Sequence, residues 1–191
     1  MFEISHYGLQ QILYLLEKYN IPATFFTTTS FAQHYPNLIQ KMSSSHEIAS
    51  HGLSHQAPLN IETITRAKKE LEVVTNKSVK GFRAPRWNIK DIFLVEKAGF
   101  LYDSSTHPIY LPGRYNNLNQ KRNMHKIGNL IEIPLSTLPP NLSIFWLAFK
   151  NLPLFYTKTF TRINFLSSDY TMLVFHPWEF TDLTYIPIPQ Y

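Results

Sequence analysis

The chain has 191 residues, of which 44% are hydrophobic and 15% aromatic, and its formal net charge is +5. This length suits one domain over residues 1–191, and a charged share of only 16% excludes a disordered chain. The basic residues are dispersed, so we expect no nucleic-acid partner. Cysteine is absent, which excludes a disulfide framework and a thiolate metal site. Any metal must therefore be held by histidine and carboxylate.

The apolar pattern predicts helices and strands that alternate along the chain. Helices are predicted at 7–20, 31–42 with a kink or restart at Pro36, 60–76 with Asn60 as N-cap, and 89–99. Strands are predicted at 21–29, 46–51, 80–85, 100–105, 130–136 and 170–180, and a long loop at 112–126. This order indicates an α/β fold with a mainly parallel sheet or barrel. In such folds the chemistry lies at the carboxyl ends of the strands.

Polar side chains follow four of these predicted strands. His51 and His55 come after the strand that contains EIAS, Arg83 follows GF, Asp103 follows FLY, and His176 follows TMLVF. A single histidine in such a place is more often structural than functional. Four strand ends that each deliver a titratable or cationic group favour a hydrolytic site over a binding surface.

Three motifs in sequence order carry a family resemblance. SHGLSH, GFRAPRW and LVFH resemble successive motifs of the NodB-type polysaccharide deacetylases, carbohydrate esterase family 4, and IPATFF, GFLYDSS and HPWE are also similar to segments of that family. The H-x-x-x-H spacing is weak evidence alone, whereas the ordered trio is specific. The resemblance covers about Tyr7 to Asp182 and implies a distorted (β/α) barrel.

The resemblance implies a divalent metal held by His51 and His55. Zinc is the usual metal of the family, with cobalt or nickel as alternatives. The spacing of four residues places both imidazoles on one side of a turn, and Gly52 allows the backbone to curl tightly. The metal would act as a Lewis acid toward the substrate amide.

The resemblance also assigns catalytic and substrate-binding roles. Arg83 matches the arginine that keeps a catalytic carboxylate charged, and the amide of Arg86 matches an oxyanion donor. His176 matches the general acid that protonates the departing amine, and Asp103 matches the carboxylate that orients that histidine. Trp87 matches a residue that stacks on the sugar. Structural alternatives are a bridge to another carboxylate for Arg83, core packing for Trp87 and a capped turn for Asp103.

One motif of the family has no counterpart here. The family's first strand ends in two acidic residues, the base and the third metal ligand, but only MFEISH precedes Tyr7. A strand absent upstream, a degenerate relative that binds without catalysis, or substitution by Glu3 would each explain this. Without its first strand, the barrel exposes strand edges, so we expect a dimer or a marginally stable form.

Three functions remain open at the level of sequence. The first is a metal-dependent hydrolase that removes N-acetyl groups from a sugar in a polysaccharide or a lipid-linked glycan. The second is a non-catalytic carbohydrate-binding relative, and the third is an amide or formamide hydrolase of smaller substrates. The apolar run Leu142–Tyr156 is predicted either to contact a membrane or to pack as helices on the barrel. The lack of a signal segment predicts a cytoplasmic location.

Overall fold

The computed structural model describes residues 2–111, 113, 115–138, 142–143, 149 and 151–182. The helices are α1 (Phe2–Lys18), α2 (Thr29–His34), α3 (Pro36–Ser45), α4 (Ile61–Thr75), α5 (Phe93–Lys97) and α6 (Leu154–Ser167). The strands are β1 (Thr24–Thr27), β2 (Glu47–Ser50), β3 (Gly81–Phe82), β4 (Tyr102–Asp103), β5 (Tyr110–Leu111), β6 (Tyr115–Asn116), β7 (His125–Ile127), β8 (Leu130–Glu132), β9 (Thr137–Leu138) and β10 (Leu142–Ser143). Two short 3-10 turns span Pro85–Trp87 and Pro177–Phe180.

The main sheet has six strands in the order β1-β2-β3-β4-β8-β7. Strands β1 to β4 and β8 are parallel, and β7 adds an antiparallel edge. The predicted α/β fold with a mainly parallel sheet is therefore confirmed. The sheet is not closed, because β1 and β7 are its two edges, and the described residues ahead of β1 form α1 and its connection without a strand.

Register aligns the carboxyl ends of the strands in one row. Ser50 on β2 is paired with Phe82 on β3, Phe82 with Asp103 on β4, and Asp103 with Glu132 on β8. A one-residue slip would reverse the faces of every side chain, so the buried row holds this register. The residues that follow each strand thus lie side by side at one end of the sheet.

The helices begin and end where local chemistry predicts. Pro36 opens α3 at its first turn, where its missing N–H costs nothing, so the predicted restart there is confirmed. Asn60 caps α4: its Oδ1 accepts from the Thr63 amide at 2.9 Å, and the Thr63 hydroxyl accepts from the Asn60 amide at 3.1 Å. Gly99, just past α5, has φ +79°, as a helix-ending glycine requires.

The core lies between the sheet and the helices on one of its faces. Helix α4 packs against α2, α3 and α5 and against β2. Its Ile64 and Leu71 are fully buried together with Ile39 of α3 and Phe82 of β3. Each such side chain contributes roughly 1.5–3 kcal/mol through burial. This core supports the strands β1 to β4, whose ends carry the polar residues.

Two expectations from the sequence need correction. Residues 171–176 form no strand, and Pro177–Phe180 forms a 3-10 turn, because α1 packs directly on this turn. The predicted loop 112–126 contains strand β6 and the start of β7, while Pro112 and Arg114 fall outside the described residues. Most of the apolar run Leu142–Tyr156 also falls outside them. Among the described helices, none has the length and apolarity to cross a bilayer.

Candidate active site

His51 and Arg83 extend the parallel ladder by one residue beyond their strands. The His51 amide donates to the Thr27 carbonyl and the Arg83 amide to the Ser50 carbonyl, each at 2.9 Å. Asp103 ends β4 in the same row. The structure therefore brings three of the sequence-selected residues to one end of the sheet through backbone register alone.

His51 and His55 face each other across the turn that follows β2. Their ring centroids are 5.1 Å apart and the rings are nearly perpendicular, at 83°. The turn contains Gly52 with φ +75°, a left-handed conformation that favours glycine. The Nδ1 of His51 lies 2.7 Å from the Arg83 carbonyl oxygen, so Nδ1 carries the hydrogen and Nε2 keeps its lone pair.

Electrostatics keep both histidines neutral, as metal ligands must be. Burial lowers the pKa of His51 to about 3, because it outweighs the hydrogen bond to the Arg83 carbonyl that favours the cation. The pKa of His55 is lowered by burial and then by the charges of Arg86 and His176. The pair fits two ligand positions of a divalent metal. Within the described residues no group of three or more His, Cys, Asp or Glu side chains could hold one.

Arg83 is a buried cation with neutral partners. Its Nε donates to the Ser104 carbonyl at 2.9 Å and its Nη2 to the Ser104 hydroxyl at 2.7 Å, and the guanidinium lies 4.0 Å from the centroid of the Phe26 ring. Nη2 also contacts the Met172 sulfur at 3.0 Å. Burial lowers the pKa of Arg83 to about 10. The role predicted for it, holding a catalytic carboxylate, remains a prediction.

The turn after β3 is strained at two consecutive residues. Arg86 has φ +59° and Trp87 has φ +51°, values that cost non-glycine residues about 1–3 kcal/mol each. The Ala84 amide anchors the turn by donating to the Ser105 hydroxyl at 2.8 Å. Arg86 is exposed and Trp87 half-buried, which leaves both at the surface of the site. Such strain is typical of functional sites.

Trp87 has aromatic neighbours on two sides. Its ring centroid is 5.1 Å from that of His107 and 6.5 Å from that of His176. His107 is fully buried. Trp87 thus packs in part against buried His107 and still borders His176.

His176 is paired with Glu179 of the same 3-10 turn. The two Glu179 oxygens lie 2.9 Å from His176 Nδ1 and 3.1 Å from the His176 amide. Trp178 stacks on the imidazole at 4.3 Å between centroids and an angle of 16°. Asp103, which the family resemblance matches to the carboxylate that orients His176, accepts hydrogen bonds from Ser105. The position of Glu179, three residues after His176 in a proline-led turn, is the capping signal by which the sequence shows this pairing.

Asp103 and Glu132 form a buried carboxyl pair that the sequence did not reveal. Both are 0% exposed and lie opposite each other on β4 and β8. Burial raises the pKa of both groups, and together with the charge of Asp103 it raises that of Glu132 to about 9. Asp103 accepts from the Ser105 amide and hydroxyl, both at 2.8 Å. The sequence signal for this pair is the acidic residue at a core-facing position of the strand LIE.

Three comparisons with known proteins agree on the family. The sequence model of the polysaccharide deacetylase family matches residues 5–102. A peptidoglycan deacetylase of Helicobacter pylori is 28% identical over 107 residues, which make up 51% of this chain and 36% of that protein. The chain thus spans about a third of that relative's length.

Solved structures share the fold. A protein of Mycobacterium smegmatis assigned to the polysaccharide deacetylases superposes with a TM-score of 0.65 at 20% identity, over 92% of this chain and 65% of that one. Puue allantoinase superposes with a TM-score of 0.53 at 25% identity, over 70% of this chain and 45% of that one. The family match covers His51, His55 and Arg83 at the carboxyl ends of the strands, and the chain belongs to the polysaccharide deacetylase family.

Proposed function

We propose that this protein is a metal-dependent hydrolase that removes N-acetyl groups from an N-acetylated sugar of a polysaccharide, with peptidoglycan as one candidate. The observation that carries the proposal is the facing pair His51 and His55 at the carboxyl end of the sheet, with both rings neutral. Family membership supports the reaction class, cleavage of a carbon–nitrogen bond outside peptides.

His51 and His55 would hold the metal, most simply zinc, with cobalt or nickel as alternatives. When bound, it supplies Lewis-acid chemistry to the amide and to water. The acidic pair that the family resemblance places ahead of α1 has no counterpart in residues 2–23. Glu3 lies exposed in the first turn of α1. Two protein ligands bind zinc weakly, so activity depends on ligands from water, substrate or another segment.

The other residues act on the substrate directly. We assign to the Arg86 amide a hydrogen bond to the oxygen that becomes negative during attack, and to Trp87 the stacking surface for the sugar ring. His176 would donate a proton from Nε2 to the departing amine, because Glu179 occupies its Nδ1. Arg83 would place its positive charge beneath the site.

Acetate release from chitooligosaccharides and peptidoglycan fragments tests the proposal, together with the metal content by elemental analysis. We expect acetate from the zinc-loaded protein, and loss of both bound zinc and activity in His51→Ala and His55→Ala. His125→Ala, in the remote β7–β8 hairpin, is the matched control and should behave like the wild type. Zinc binding without acetate from either substrate would refute the deacetylase activity and leave the non-catalytic carbohydrate-binding function.

A smaller amide or formamide substrate is the second candidate function. The likeness to Puue allantoinase is the observation that favours it, because that protein superposes over 70% of this chain. Substrate size separates the two proposals: hydrolysis of small amides with no acetate from oligosaccharides would support the smaller substrate.

Helix α6 supports a lipid-linked glycan as the substrate. It buries Thr157 and Asn164 but exposes Phe155 by 71% and Leu166 by 85%, which reverses the usual polarity of a helix packed on a core. Lys158 and Arg162 lie on the same helix, which contains no acidic residue, and therefore complement anionic headgroups. We propose that this face rests on a membrane surface. Homodimerisation is the alternative use of such a face.

A further inference from the structure

The carboxyl pair of Asp103 and Glu132 has no part in the proposed reaction. Parallel register forces the two groups together, and neither side chain reaches solvent. Two ionised carboxylates cannot share a dry site, because like charges repel and neither is hydrated. Within the part of the chain that the structure describes, Arg83 is the cation whose charge acts on both groups, and the phenol of Tyr170 interacts with Glu132. A single positive charge balances a single carboxylate, so the pair must hold one proton.

The hydrogen bonds indicate which group carries that proton. Both Asp103 oxygens already accept from Ser105, one from its amide and one from its hydroxyl. Glu132 Oε1 accepts from the Thr106 amide at 2.9 Å, whereas its buried Oε2 receives no donor. Parallel register places the two carboxyl side chains next to each other on β4 and β8. A hydrogen bond between two carboxyl groups requires a hydrogen, and Oε2 of Glu132 is the one oxygen of the pair that receives no donor.

We propose that protonated Glu132 donates a hydrogen bond to the Asp103 carboxylate and that the pair positions the strained turn Ala84–Trp87. The connection is continuous: Asp103 accepts from the Ser105 hydroxyl, and that hydroxyl accepts from the Ala84 amide at 2.8 Å. While the Ser105 hydrogen points at Asp103, both lone pairs of the hydroxyl are available to the Ala84 amide. Glu132 is therefore a positioning residue, and this role rests on the proposed function of the turn.

Infrared difference spectroscopy at neutral pH tests the proton directly. The wild type should show the carbonyl band of a protonated carboxyl group, and Glu132→Gln should lack it. Glu70→Gln, an acid-to-amide change at a partly exposed position of α4, is the matched control and should keep the band. A wild type without the band, or a band that survives in Glu132→Gln, would overturn the assignment of the proton. This measurement needs neither metal nor activity, so failure of acetate release leaves it intact.

Amide hydrogen exchange over residues 84–88 tests the positioning. Glutamine keeps an N–H that can donate to Asp103, so Glu132→Gln should preserve the protection of this turn. Glu132→Ala should raise exchange there about ten-fold or more, while β1 and β2 stay protected. If the alanine variant does not fold, Ser105→Ala replaces it, with faster exchange at Ala84 and the infrared band retained. Unchanged protection in Ser105→Ala, or equal loss in the glutamine and alanine variants, would overturn the positioning role.

Discussion

At the scale of single residues, the buried pair Asp103 and Glu132 gives the folded state a distinct pH dependence. Both groups have a raised pKa in the folded protein, that of Glu132 about 9. At pH values between the ordinary carboxyl pKa and these raised pKa values, both carboxyl groups are deprotonated in the unfolded chain. The folded pair retains a proton over the same pH range. Stability is therefore full at acidic pH and falls as pH rises toward 9, by up to about 1.4 kcal/mol per pH unit for each proton.

Glu132→Gln should remove this slope. The amide cannot ionise, so we expect the free energy of unfolding to vary less between pH 5 and pH 9 (roughly the window between the ordinary and the raised carboxyl pKa values) and the variant to be the more stable one at the alkaline end. Urea melts at several pH values measure this. Glu70→Gln should retain the wild-type slope, and an equally steep slope in Glu132→Gln would contradict the interpretation.

Glu179 should control the tautomer of His176. With a carboxylate 2.9 Å from Nδ1, that nitrogen keeps a hydrogen whether or not the ring is charged, so Nε2 is the nitrogen that takes up a proton and donates it. Glu179→Leu should redistribute the two tautomers, seen in the imidazole nitrogen chemical shifts, and lower kcat more than it raises KM. Glu96→Leu, on α5 and distant from His176 in the sequence, is the control and should leave the nitrogen shifts of His176 unchanged. Unchanged nitrogen shifts in Glu179→Leu would show that another group orients the ring.

At the scale of elements, α1 is docked tightly on the turn that carries His176. A Cβ built on Gly8 would lie 1.7 Å from the Pro177 carbonyl oxygen, so only glycine permits this approach. Thr181 adds a hydrogen bond from its hydroxyl to the Ile4 carbonyl at 2.8 Å. Helix α1 therefore fixes the position of the turn that carries His176.

Gly8→Ala should separate α1 from this turn. We expect a loss of about 1–3 kcal/mol in the free energy of unfolding, from overpacking that backbone movement relieves only in part. Gln11→Ala, at an exposed position of the same helix, should leave stability unchanged or slightly higher. Thermal melts of both variants measure these changes in stability. Equal stability of Gly8→Ala and the wild type would mean that α1 is loosely held.

Helix α6 should bind anionic membranes through its exposed face. We expect the protein to sediment with phosphatidylglycerol vesicles and less with phosphatidylcholine vesicles, and the paired variant Phe155→Ser with Leu166→Ser to lose this binding. Lys41→Ser, on exposed α3, is a control for general charge effects. Wild-type protein that remains in solution with both vesicle types would exclude the membrane role and favour a protein contact.

At the scale of the whole molecule, none of the described strands pairs with the outer side of β1. An exposed edge of this kind pairs with other chains unless it is blocked. We therefore expect concentration-dependent dimers in light scattering. Thr24→Lys, which places a charge on the outer edge of β1, should shift the population toward the monomer. A wild type that stays monomeric at high concentration would show that the edge is covered by other means.

The sequence by itself determined the parts of this protein that depend on local pattern. Apolar periodicity and the caps at Asn60 and Gly99 placed most helices and strands, and the ordered motifs identified the family and the histidine pair. These features follow from neighbours along the chain, which a sequence displays directly. The strand predicted at residues 170–180 is wrong because a local apolar run does not show what it will contact. In the structure the end of this run packs against α1 and does not join a sheet.

Only the tertiary structure decided which polar groups meet. Register between β4 and β8 joins Asp103 to Glu132, residues that are far apart in sequence and carry no shared motif. Once Asp103 is committed to that pair and to Ser105, His176 takes its carboxylate from Glu179 instead. Hydrogen bonds between distant segments depend on how the strands align and which groups lose water. Those quantities are properties of the packed sheet and are not written in any local stretch of sequence.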